Sequence, residues 1–596
     1  MHHCVPPHSR LLPTQELDSM KASLVPNIWL VAIFSCRGVF AVQPTSTTAS
    51  TPSTVSSSIS ADSPTVSIYG YGTIQGNRSE YVNSIYNFKG IPYASAPTGA
   101  YRWKHPPHPI PWNTTRDATT FSPACPQPGV DNYSEDCLHL NVWTPENATL
   151  NDVYPNTAAP GVLPNATGSQ YPVYVWIYGG RFAGGAASDP LYDGAGLAAK
   201  GVIVITMNYR LGALGFLAHP ELSANSSSGT SGNYGLVDQQ ASLHWTIENC
   251  ASFGGDPTRI TIGGQSAGAA SVIDHLNSPL ADGLFNQVIA ESGVRYPSDP
   301  LIGSLAQSYR HLAEAETQGE TYLESLNIST IAEARALPVE AFLSSGSMDD
   351  TTYVGTVFQN NSNYMEPPLF RPVLDGYVLP ATYESLLSSG NHSIVPVLTG
   401  NNKDESGASP NPGLSVASYI ATNQLDFGSV GLAEEYFSLY PAGNSSSSAG
   451  NSSNAFYRDQ SRTGTWLWAN EYTAGSQNFS SNGTSTTYTY YWTHAPPGQD
   501  AGAYHMSEIN YAFNNLYGTD LPWTTEDYAI GDTMSSYWAN FIKNGNPNGD
   551  GLATWPADSA SSPVTMELGD AFEAISVANS SNIAFMKEWF SKWPVY

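Results

Sequence analysis

The chain has 596 residues, a formal net charge of −28, 41% hydrophobic residues and only 12% charged residues. This length and hydrophobic content are typical of a globular protein with a large core. An acidic surface repels phosphate groups and anionic lipids, so we expect neither nucleic acid nor a membrane surface as a partner.

The N-terminus has the features of a secretory leader. Met20-Lys21 precedes an apolar run that contains residues 28–34, and Val39-Phe40-Ala41 fits a cleavage site. The apolar run is too short to span a bilayer comfortably. We predict a signal peptide over residues 1–41, with Met20 as an alternative start. A disordered Ser/Thr/Pro-rich linker over residues 42–65 is predicted to follow it.

Glycosylation sequons of the form N-x-[ST] are abundant and predict passage through a eukaryotic secretory pathway to the cell exterior. Their asparagines are Asn77, Asn113, Asn132, Asn147, Asn165, Asn225, Asn327, Asn360, Asn391, Asn444, Asn451, Asn478, Asn482 and Asn579. Residues 588–596 form no hydrophobic tail, so we expect no GPI anchor and no stable membrane anchor.

A strand that ends in a serine is the most informative segment of the chain. Arg259-Ile260-Thr261-Ile262 predicts a buried strand, and Gly264-Gln265-Ser266-Ala267-Gly268 matches G-x-S-x-G. This motif forms a tight strand-to-helix turn that exposes a serine hydroxyl. Glycines on both sides tolerate the strained backbone that such a turn requires.

A serine hydroxyl is a weak nucleophile unless a base takes its proton and an acid orients that base. When the serine lies on such a turn, the acid and then the histidine follow it along the chain. The downstream histidines are His275, His311, His392, His494 and His505. His505 lies on a glycine-flanked turn before a predicted helix. The apolar run 394–398 predicts a strand that opens into a loop carrying Asp404 and Glu405, where α/β folds place functional groups.

Further segments carry a family resemblance in chain order. They are Phe88-Lys89-Gly90-Ile91-Pro92-Tyr93-Ala94, Ser134-Glu135-Asp136-Cys137-Leu138-His139-Leu140-Asn141-Val142-Trp143, Asn208-Tyr209-Arg210-Leu211-Gly212, Gly232-Asn233-Tyr234-Gly235-Leu236-Val237-Asp238-Gln239, Phe253-Gly254-Gly255-Asp256-Pro257 and Glu291-Ser292-Gly293. With the serine turn, they resemble the type-B carboxylesterase/lipase family, which includes the cholinesterases and secreted fungal lipases. The resemblance implies an α/β-hydrolase fold over residues 66–596, with a mostly parallel twisted sheet, helices on both faces and a helix-rich insertion at about 301–387.

By this resemblance the catalytic triad is Ser266 as nucleophile, Glu405 as acid and His505 as base. Asp404, one residue earlier on the same loop, is the competing acid. Ser292 matches a buried serine near the triad of relatives, and two interpretations stay open for it. It is either a hydrogen-bonded structural hydroxyl or an aid to catalysis.

The resemblance also implies an oxyanion hole built from backbone N–H groups. Residues 173–177 predict a strand, and the loop 178–182 follows where relatives carry three consecutive glycines. Gly180 and Ala267 match two of the usual donors, and Arg181 replaces the third glycine. Its guanidinium either narrows the site and favours acidic or polar substrates, or points to solvent without effect. Gln265 replaces the usual glutamate and removes a charge near the site.

Cysteine positions refine the predicted function. Cys125 and Cys137 match the first disulfide of the family, and Cys250 is expected to stay a buried free thiol. In lipase relatives the loop closed by this disulfide forms the lid, whereas here it is short and lacks the tryptophan of cholinesterases. We therefore expect an open site for soluble esters.

The sequence predicts a secreted serine hydrolase that cleaves small carboxylic esters through an acyl-enzyme. Alternatives are a non-catalytic binding or adhesion protein of the same fold and an interfacial triacylglycerol lipase. We expect no metal and no cofactor, because metal-ligand and nucleotide-binding motifs do not occur in the required contexts. The Ser/Asn-rich stretch 443–454 is predicted to be a flexible surface loop.

Overall fold

The computed structural model describes residues 63–150, 170–301, 308–352, 354–356, 365–479 and 485–594. The predicted signal peptide and most of the predicted linker lie outside these ranges, as do the sequon residues Asn165, Asn360 and Asn482. Within the described ranges, no helix has both the length and the apolar character needed to cross a membrane.

A large mixed sheet organises the described chain. The strands are β1 (Thr65–Ile68), β2 (Gly72–Gln75), β3 (Asn77–Arg78), β4 (Ile85–Pro92), β5 (Arg116–Asp117), β6 (His139–Pro145), β7 (Tyr171–Ile177), β8 (Ile203–Met207), β9 (Gly255–Gln265), β10 (Gln287–Glu291), β11 (Arg310–His311), β12 (Val373–Leu374), β13 (Val397–Asn402), β14 (Thr487–Trp492), β15 (Val564–Leu568) and β16 (Glu573–Ser576). An 11-stranded sheet has the order β16-β15-β14-β13-β10-β9-β7-β8-β6-β4-β3. Its middle, from β15 to β8, is parallel, and both outer ends are antiparallel.

The parallel strands are nearly continuous runs of buried residues. A parallel sheet that is covered on both faces requires this pattern, since neither face meets water. The predicted strand at 394–398 begins later than expected, because β13 spans Val397–Asn402. This shift brings the end of β13 close to Asp404 and Glu405.

Helices flank the sheet. They are α1 (Ala195–Ala198), α2 (Gly212–Phe216), α3 (Pro220–Ala224), α4 (Tyr234–Asn249), α5 (Ala267–Asn277), α6 (Leu312–Ser325), α7 (Ile331–Ala336), α8 (Tyr383–Ser389), α9 (Val416–Gly428), α10 (Ala433–Leu439), α11 (Ser446–Phe479), α12 (Ile509–Ala512), α13 (Thr525–Asn544) and α14 (Ser580–Phe590). Helix α5 packs on β9 and β10, α13 packs on β7 and β9, and α11 packs on β13 and β14. Helices α6 and α7 lie in the predicted insertion.

The prediction of a flexible loop at 443–454 is wrong, because α11 begins at Ser446. Serine has weak helix propensity, but Ser445 and Ser448 cap the helix start reciprocally. The Ser445 hydroxyl accepts from the Ser448 N–H at 3.1 Å, and the Ser448 hydroxyl accepts from the Ser445 N–H at 3.0 Å. Asn454 then binds the backbone of Ser409 through both its amide oxygen and its amide nitrogen. Capping and tertiary contacts outweigh the intrinsic propensity here.

A disulfide joins Cys125 to Cys137, which are 12 positions apart and fully buried. The short loop between them is attached to the core. The Gln127 amide donates to the Gly185 carbonyl at 2.8 Å and accepts from the Gly185 N–H at 2.8 Å. Cys250 is a buried free thiol.

Replacing both Cys125 and Cys137 by alanine should lower the free energy of unfolding by about 3 kcal/mol, the loop-closure entropy of a ring this size. Alanine avoids placing unpaired hydroxyls in the core. The measurement is the urea unfolding midpoint, with the disulfide-bonded wild-type protein as the comparison. An unchanged midpoint in the double variant would show that the disulfide does not stabilise the fold.

Candidate active site

Ser266 lies at the junction of β9 and α5 in a strained backbone conformation. Its φ is 58° and its ψ is −121°, which non-glycine residues rarely adopt. The Ser266 N–H donates to the Glu291 carbonyl of the neighbouring strand at 2.9 Å. This geometry is that of the predicted turn, in which the serine hydroxyl is raised above the carboxyl edge of the sheet.

The glycines around Ser266 are required by close backbone contacts. A Cβ on Gly264 would lie 2.5 Å from the backbone of Gly268, and one on Gly268 would lie 1.9 Å from the Ile177 oxygen. A Cβ on Gly179 would lie 2.5 Å from the Gln265 carbonyl oxygen. The turn therefore packs directly against the end of β7 and the loop that follows it.

Glu405 and His505 are in direct contact. The Glu405 Oε2 lies 2.6 Å from His505 Nδ1, and the Asn402 N–H donates to Glu405 Oε1 at 2.8 Å. The Glu405 side chain is 4% exposed, whereas the His505 side chain is 42% exposed. One ring nitrogen is thus held by a buried carboxylate while the ring stays accessible to a substrate.

Asp404, the competing candidate for the acid, forms hydrogen bonds with groups other than His505. Its Oδ1 accepts from Arg458 at 2.7 Å and its Oδ2 accepts from the Ala503 N–H at 2.9 Å. Asp404 also pairs with Tyr504 in a parallel bridge. Asp404 therefore joins the loop of the acid to the loop of the histidine, and Glu405 is the carboxylate that contacts the imidazole.

Burial and Glu405 act in opposite directions on the pKa of His505. Desolvation lowers the pKa, whereas the hydrogen bond and the charge of Glu405 raise it and prevail, so the pKa is raised overall. A raised pKa makes the imidazole a stronger base, which favours its taking a proton from a hydroxyl.

Gln265 lies against the imidazole of His505. Its amide nitrogen is 3.1 Å from Nε2 and 3.3 Å from Nδ1. An atom nearly equidistant from both ring nitrogens cannot point along the lone pair of either. Among the described residues, Ser266 forms no hydrogen bond with His505, and such bonds often tighten only when substrate binds.

The loop after β7 turns sharply through three residues with positive φ, which are Gly180 at 115°, Arg181 at 58° and Phe182 at 58°. Across the described chain, no acceptor pairs with the backbone N–H of Gly180, Arg181 or Ala267. Unpaired N–H groups beside a strained serine are the donors that an oxyanion hole needs.

The Arg181 side chain is not directed into open solvent. Its Nη2 donates to Asp349 Oδ1 at 2.9 Å and to the Glu366 carbonyl at 2.8 Å, and the side chain is 35% exposed. Asp349 therefore already neutralises the guanidinium.

Sequence reasoning did not identify two buried carboxyl groups near the predicted triad. Glu291 accepts from the Trp538 indole at 2.9 Å, and Glu508 accepts from the Asn402 amide. Burial raises the pKa of both, and the proximity of Glu291 raises that of Glu508 further. Burial therefore favours the neutral acids at these two positions. The sequence feature that could have identified Glu508 is its position three residues after His505.

Ser292 also has a positive φ, 50°, and its N–H donates to the Gly400 carbonyl at 2.9 Å. Its hydroxyl is buried, and no described residue forms a hydrogen bond with it. The described residues also contain no group of three or more His, Cys, Asp or Glu side chains that could hold a metal ion.

Comparison with known proteins places the chain in a family. The model of the carboxylesterase family matches residues 62–586. The chain belongs to the carboxylesterase family. As a member of that family it is a carboxylic ester hydrolase.

Relatives of this carboxylesterase family member share about a third of its residues. It is 31% identical to the fumonisin B1 esterase of Sphingopyxis macrogoltabida, over 89% of this chain and 91% of that protein. It is 32% identical to the para-nitrobenzyl esterase of Bacillus subtilis (strain 168), over 82% and 91%. The acetylcholinesterase of Bungarus fasciatus is 32% identical over 81% and 78%.

Solved structures support the same family assignment. A PNB esterase is matched with a TM-score of 0.66 at 29% identity, covering 88% of this chain and 99% of the other. The predicted α/β-hydrolase class is thereby confirmed.

Proposed function

We propose that this protein hydrolyses small carboxylic esters through an acyl-enzyme on Ser266, with His505 as general base and Glu405 as orienting acid. The observation that carries the proposal is the 2.6 Å contact between Glu405 and His505. This pair of residues lies beside Ser266, which has a strained backbone. The backbone N–H groups near Ser266 that have no acceptor are those described above.

In the first step the Ser266 hydroxyl attacks the ester carbonyl and His505 takes its proton. The oxygen that gains negative charge accepts from the N–H groups of Gly180 and Ala267, with that of Arg181 as a third donor. Glu405 holds the imidazole tautomer and stabilises the imidazolium.

In the second step the imidazolium of His505 protonates the leaving alcohol, and the acyl group stays on Ser266. Water then enters, His505 takes its proton, and the resulting hydroxide attacks the acyl carbonyl. As this second tetrahedral species collapses, the bond between the acyl carbon and the Ser266 oxygen breaks, and the His505 imidazolium returns its proton to that oxygen. The carboxylic acid is released, and the serine and the neutral imidazole are restored.

We further propose that the site serves soluble esters without a mobile lid. The disulfide loop that forms a lid in lipase relatives is short and is bound to Gly185 through Gln127. Hydrolysis of a triglyceride should therefore not rise sharply when the substrate exceeds its solubility limit. A sharp rise would favour the interfacial lipase.

Secretion is part of the proposal, with a signal peptide over 1–41, a linker over 42–65 and the hydrolase domain over 66–596. A disulfide is typical of an oxidising compartment. Every sequon asparagine whose side chain is described is exposed, as N-glycosylation requires. These are Asn77, Asn113, Asn132, Asn147, Asn225, Asn327, Asn391, Asn444, Asn451 and Asn579.

The proposed function is tested by intact-mass spectrometry after treatment with a fluorophosphonate probe, together with a panel of p-nitrophenyl esters of increasing chain length. One stoichiometric adduct and turnover of the short esters are expected. A folded protein that takes up no probe and cleaves no ester would instead support the non-catalytic binding protein.

Replacing Gln265 with glutamate should shift the acid limb of the kcat/KM profile upward by about one pH unit. His505 must be neutral to act as a base, so activity is lost as the pH falls through its pKa. A carboxylate against the imidazole stabilises the charged form and raises that pKa. The measurement is kcat/KM of a neutral ester between pH 4 and 9.

The matched control for this shift is Gln265→Leu, which removes the amide but adds no charge. It should leave the acid limb close to that of the wild type. If the glutamate variant keeps the wild-type limb as well, the group that limits activity in acid is not the imidazole beside residue 265.

A further inference from the structure

Arg181 connects the loop of the unpaired N–H groups to a distant part of the chain. Its guanidinium donates to Asp349 Oδ1 at 2.9 Å and to the Glu366 carbonyl at 2.8 Å, and it contacts Met365 Sδ at 3.4 Å. Its backbone has a φ of 58°, which is unfavourable for a residue with a Cβ. The side-chain contacts therefore hold a conformation that the backbone alone would not prefer.

The residues that Arg181 contacts belong to, or adjoin, a short antiparallel pairing, which we call the cap ladder (residues 348–350 and 367–369). Asp349 forms a bridge with Pro368. The Leu369 N–H donates to the Met348 carbonyl at 2.8 Å, and the Asp350 N–H donates to the Pro367 carbonyl at 2.8 Å.

A buried ion pair fixes the cap ladder. Arg371 Nη1 lies 2.8 Å from Asp350 Oδ2, and their side chains are 1% and 3% exposed. Arg371 also donates to the carbonyls of Pro368 at 2.8 Å and Ser308 at 2.9 Å. Because separating a buried ion pair is costly, the ladder is a firm attachment point.

We propose that the Arg181 side chain links the oxyanion loop (residues 178–182) to the cap ladder, a connection that we call the strap. The strap keeps the N–H groups of Gly180 and Arg181 aimed at the reacting carbonyl oxygen. This is a positioning role, and it rests on the proposed function. Oxyanion donors stabilise developing charge only when they are held in place before the reaction, and small displacements lower the rate steeply.

Other contacts also hold the oxyanion loop, on the side that faces the protein interior. Phe182 is fully buried, and its carbonyl accepts from the Gly212 N–H at 2.8 Å. Gln127 holds Gly185 through two hydrogen bonds. Arg181 adds the outward attachment, close to the donors themselves.

The ion pair between Arg181 and Asp349 also determines whether the guanidinium is available to bind a negatively charged substrate. An acidic ester would have to compete with Asp349, whose Oδ1 already accepts from the guanidinium at 2.9 Å. Loss of the Arg181 side chain should therefore affect neutral and anionic esters equally.

The test compares Arg181→Ala, Arg181→Gly, Asp349→Asn and the double variant Arg181→Gly/Asp349→Asn. Glycine adopts a positive φ without strain, so any fall in kcat of Arg181→Gly would come only from the loss of the side-chain contacts. We expect kcat for a neutral p-nitrophenyl ester to fall about 10- to 100-fold in both Arg181 variants, with KM nearly unchanged. The second-order rate of fluorophosphonate labelling should fall in parallel. Asp349→Asn should lose part of the rate, and the double variant should lose no more than Arg181→Gly.

Arg259→Ala is the matched control. Arg259 is 40% exposed, pairs with Asp256 at 2.7 Å and binds a backbone carbonyl, as Arg181 does, but it lies away from Ser266 along β9. It should keep the wild-type kcat.

Each other outcome overturns a distinct claim. Wild-type kcat in the Arg181 variants, with normal labelling, would refute the strap and leave the proposed function intact. A loss confined to anionic esters would make Arg181 a substrate-binding residue instead. A wild-type protein that neither labels nor cleaves esters would refute the proposed function itself.

Discussion

Replacing Ser266 with alanine is expected to lower kcat by about 10⁶-fold, because no acyl-enzyme can then form. The fold should survive, since alanine lacks only the hydroxyl and the N–H of residue 266 still donates to the Glu291 carbonyl. The residual rate should still exceed that of water, because the oxyanion donors and substrate binding remain. The measurement is the hydrolysis of p-nitrophenyl acetate at high enzyme concentration, beside thermal unfolding of both proteins.

Ser292→Ala is the matched control for this experiment. Ser292 also has a positive φ, 50°, and lies at the end of the neighbouring strand β10. Its buried hydroxyl has no described partner, so its removal leaves no donor or acceptor unsatisfied and should change kcat less than about ten-fold. If Ser292→Ala abolished activity and Ser266→Ala did not, the nucleophile would be assigned to the wrong serine.

Replacing Glu405 with glutamine should lower kcat by about 10⁴-fold with little change in KM. The amide has nearly the same shape, and its oxygen can still accept from the Asn402 N–H. It carries no charge to stabilise the imidazolium, and its NH₂ group opposes the N–H of the productive His505 tautomer. Steady-state kinetics with a neutral ester, compared with the wild type at its optimal pH, measure the effect.

The adjacent Asp404→Asn variant separates catalysis from structure. Asp404 binds Arg458 and the Ala503 N–H, so its loss should lower the unfolding temperature and reduce kcat by less than about ten-fold. A loss of several orders of magnitude from Asp404→Asn, with Glu405→Gln active, would reverse the roles that we propose for the two carboxylates.

Features that depend on a few neighbouring residues could be predicted from the sequence. The turn at Ser266 is one, because its strained backbone demands glycines at 264 and 268. The predicted strand 259–262 lies within β9, which extends on both sides of it, and α5 begins directly after the serine. The short interval between Cys125 and Cys137 likewise limits the loop they close. The carboxylesterase family followed from many such local motifs in order.

Features that depend on partners far along the chain were not accessible in this way. The Ser/Asn-rich stretch at 443–454 was predicted as a loop, yet its contact with Ser409 and its reciprocal cap make it helical from Ser446. The carboxyl groups of Glu291 and Glu508 acquire raised pKa values only because folding buries them together.

The sequence by itself determined the family, the strand-to-serine turn and a pair of adjacent candidate acids, because each is encoded over a few residues. Only the tertiary structure decided that Glu405 contacts His505 while Asp404 binds Arg458. It alone also decided that Arg181 meets Asp349, 168 positions away. Adjacent side chains point in different directions after a strand ends, and the direction each one takes is set by the elements packed around it.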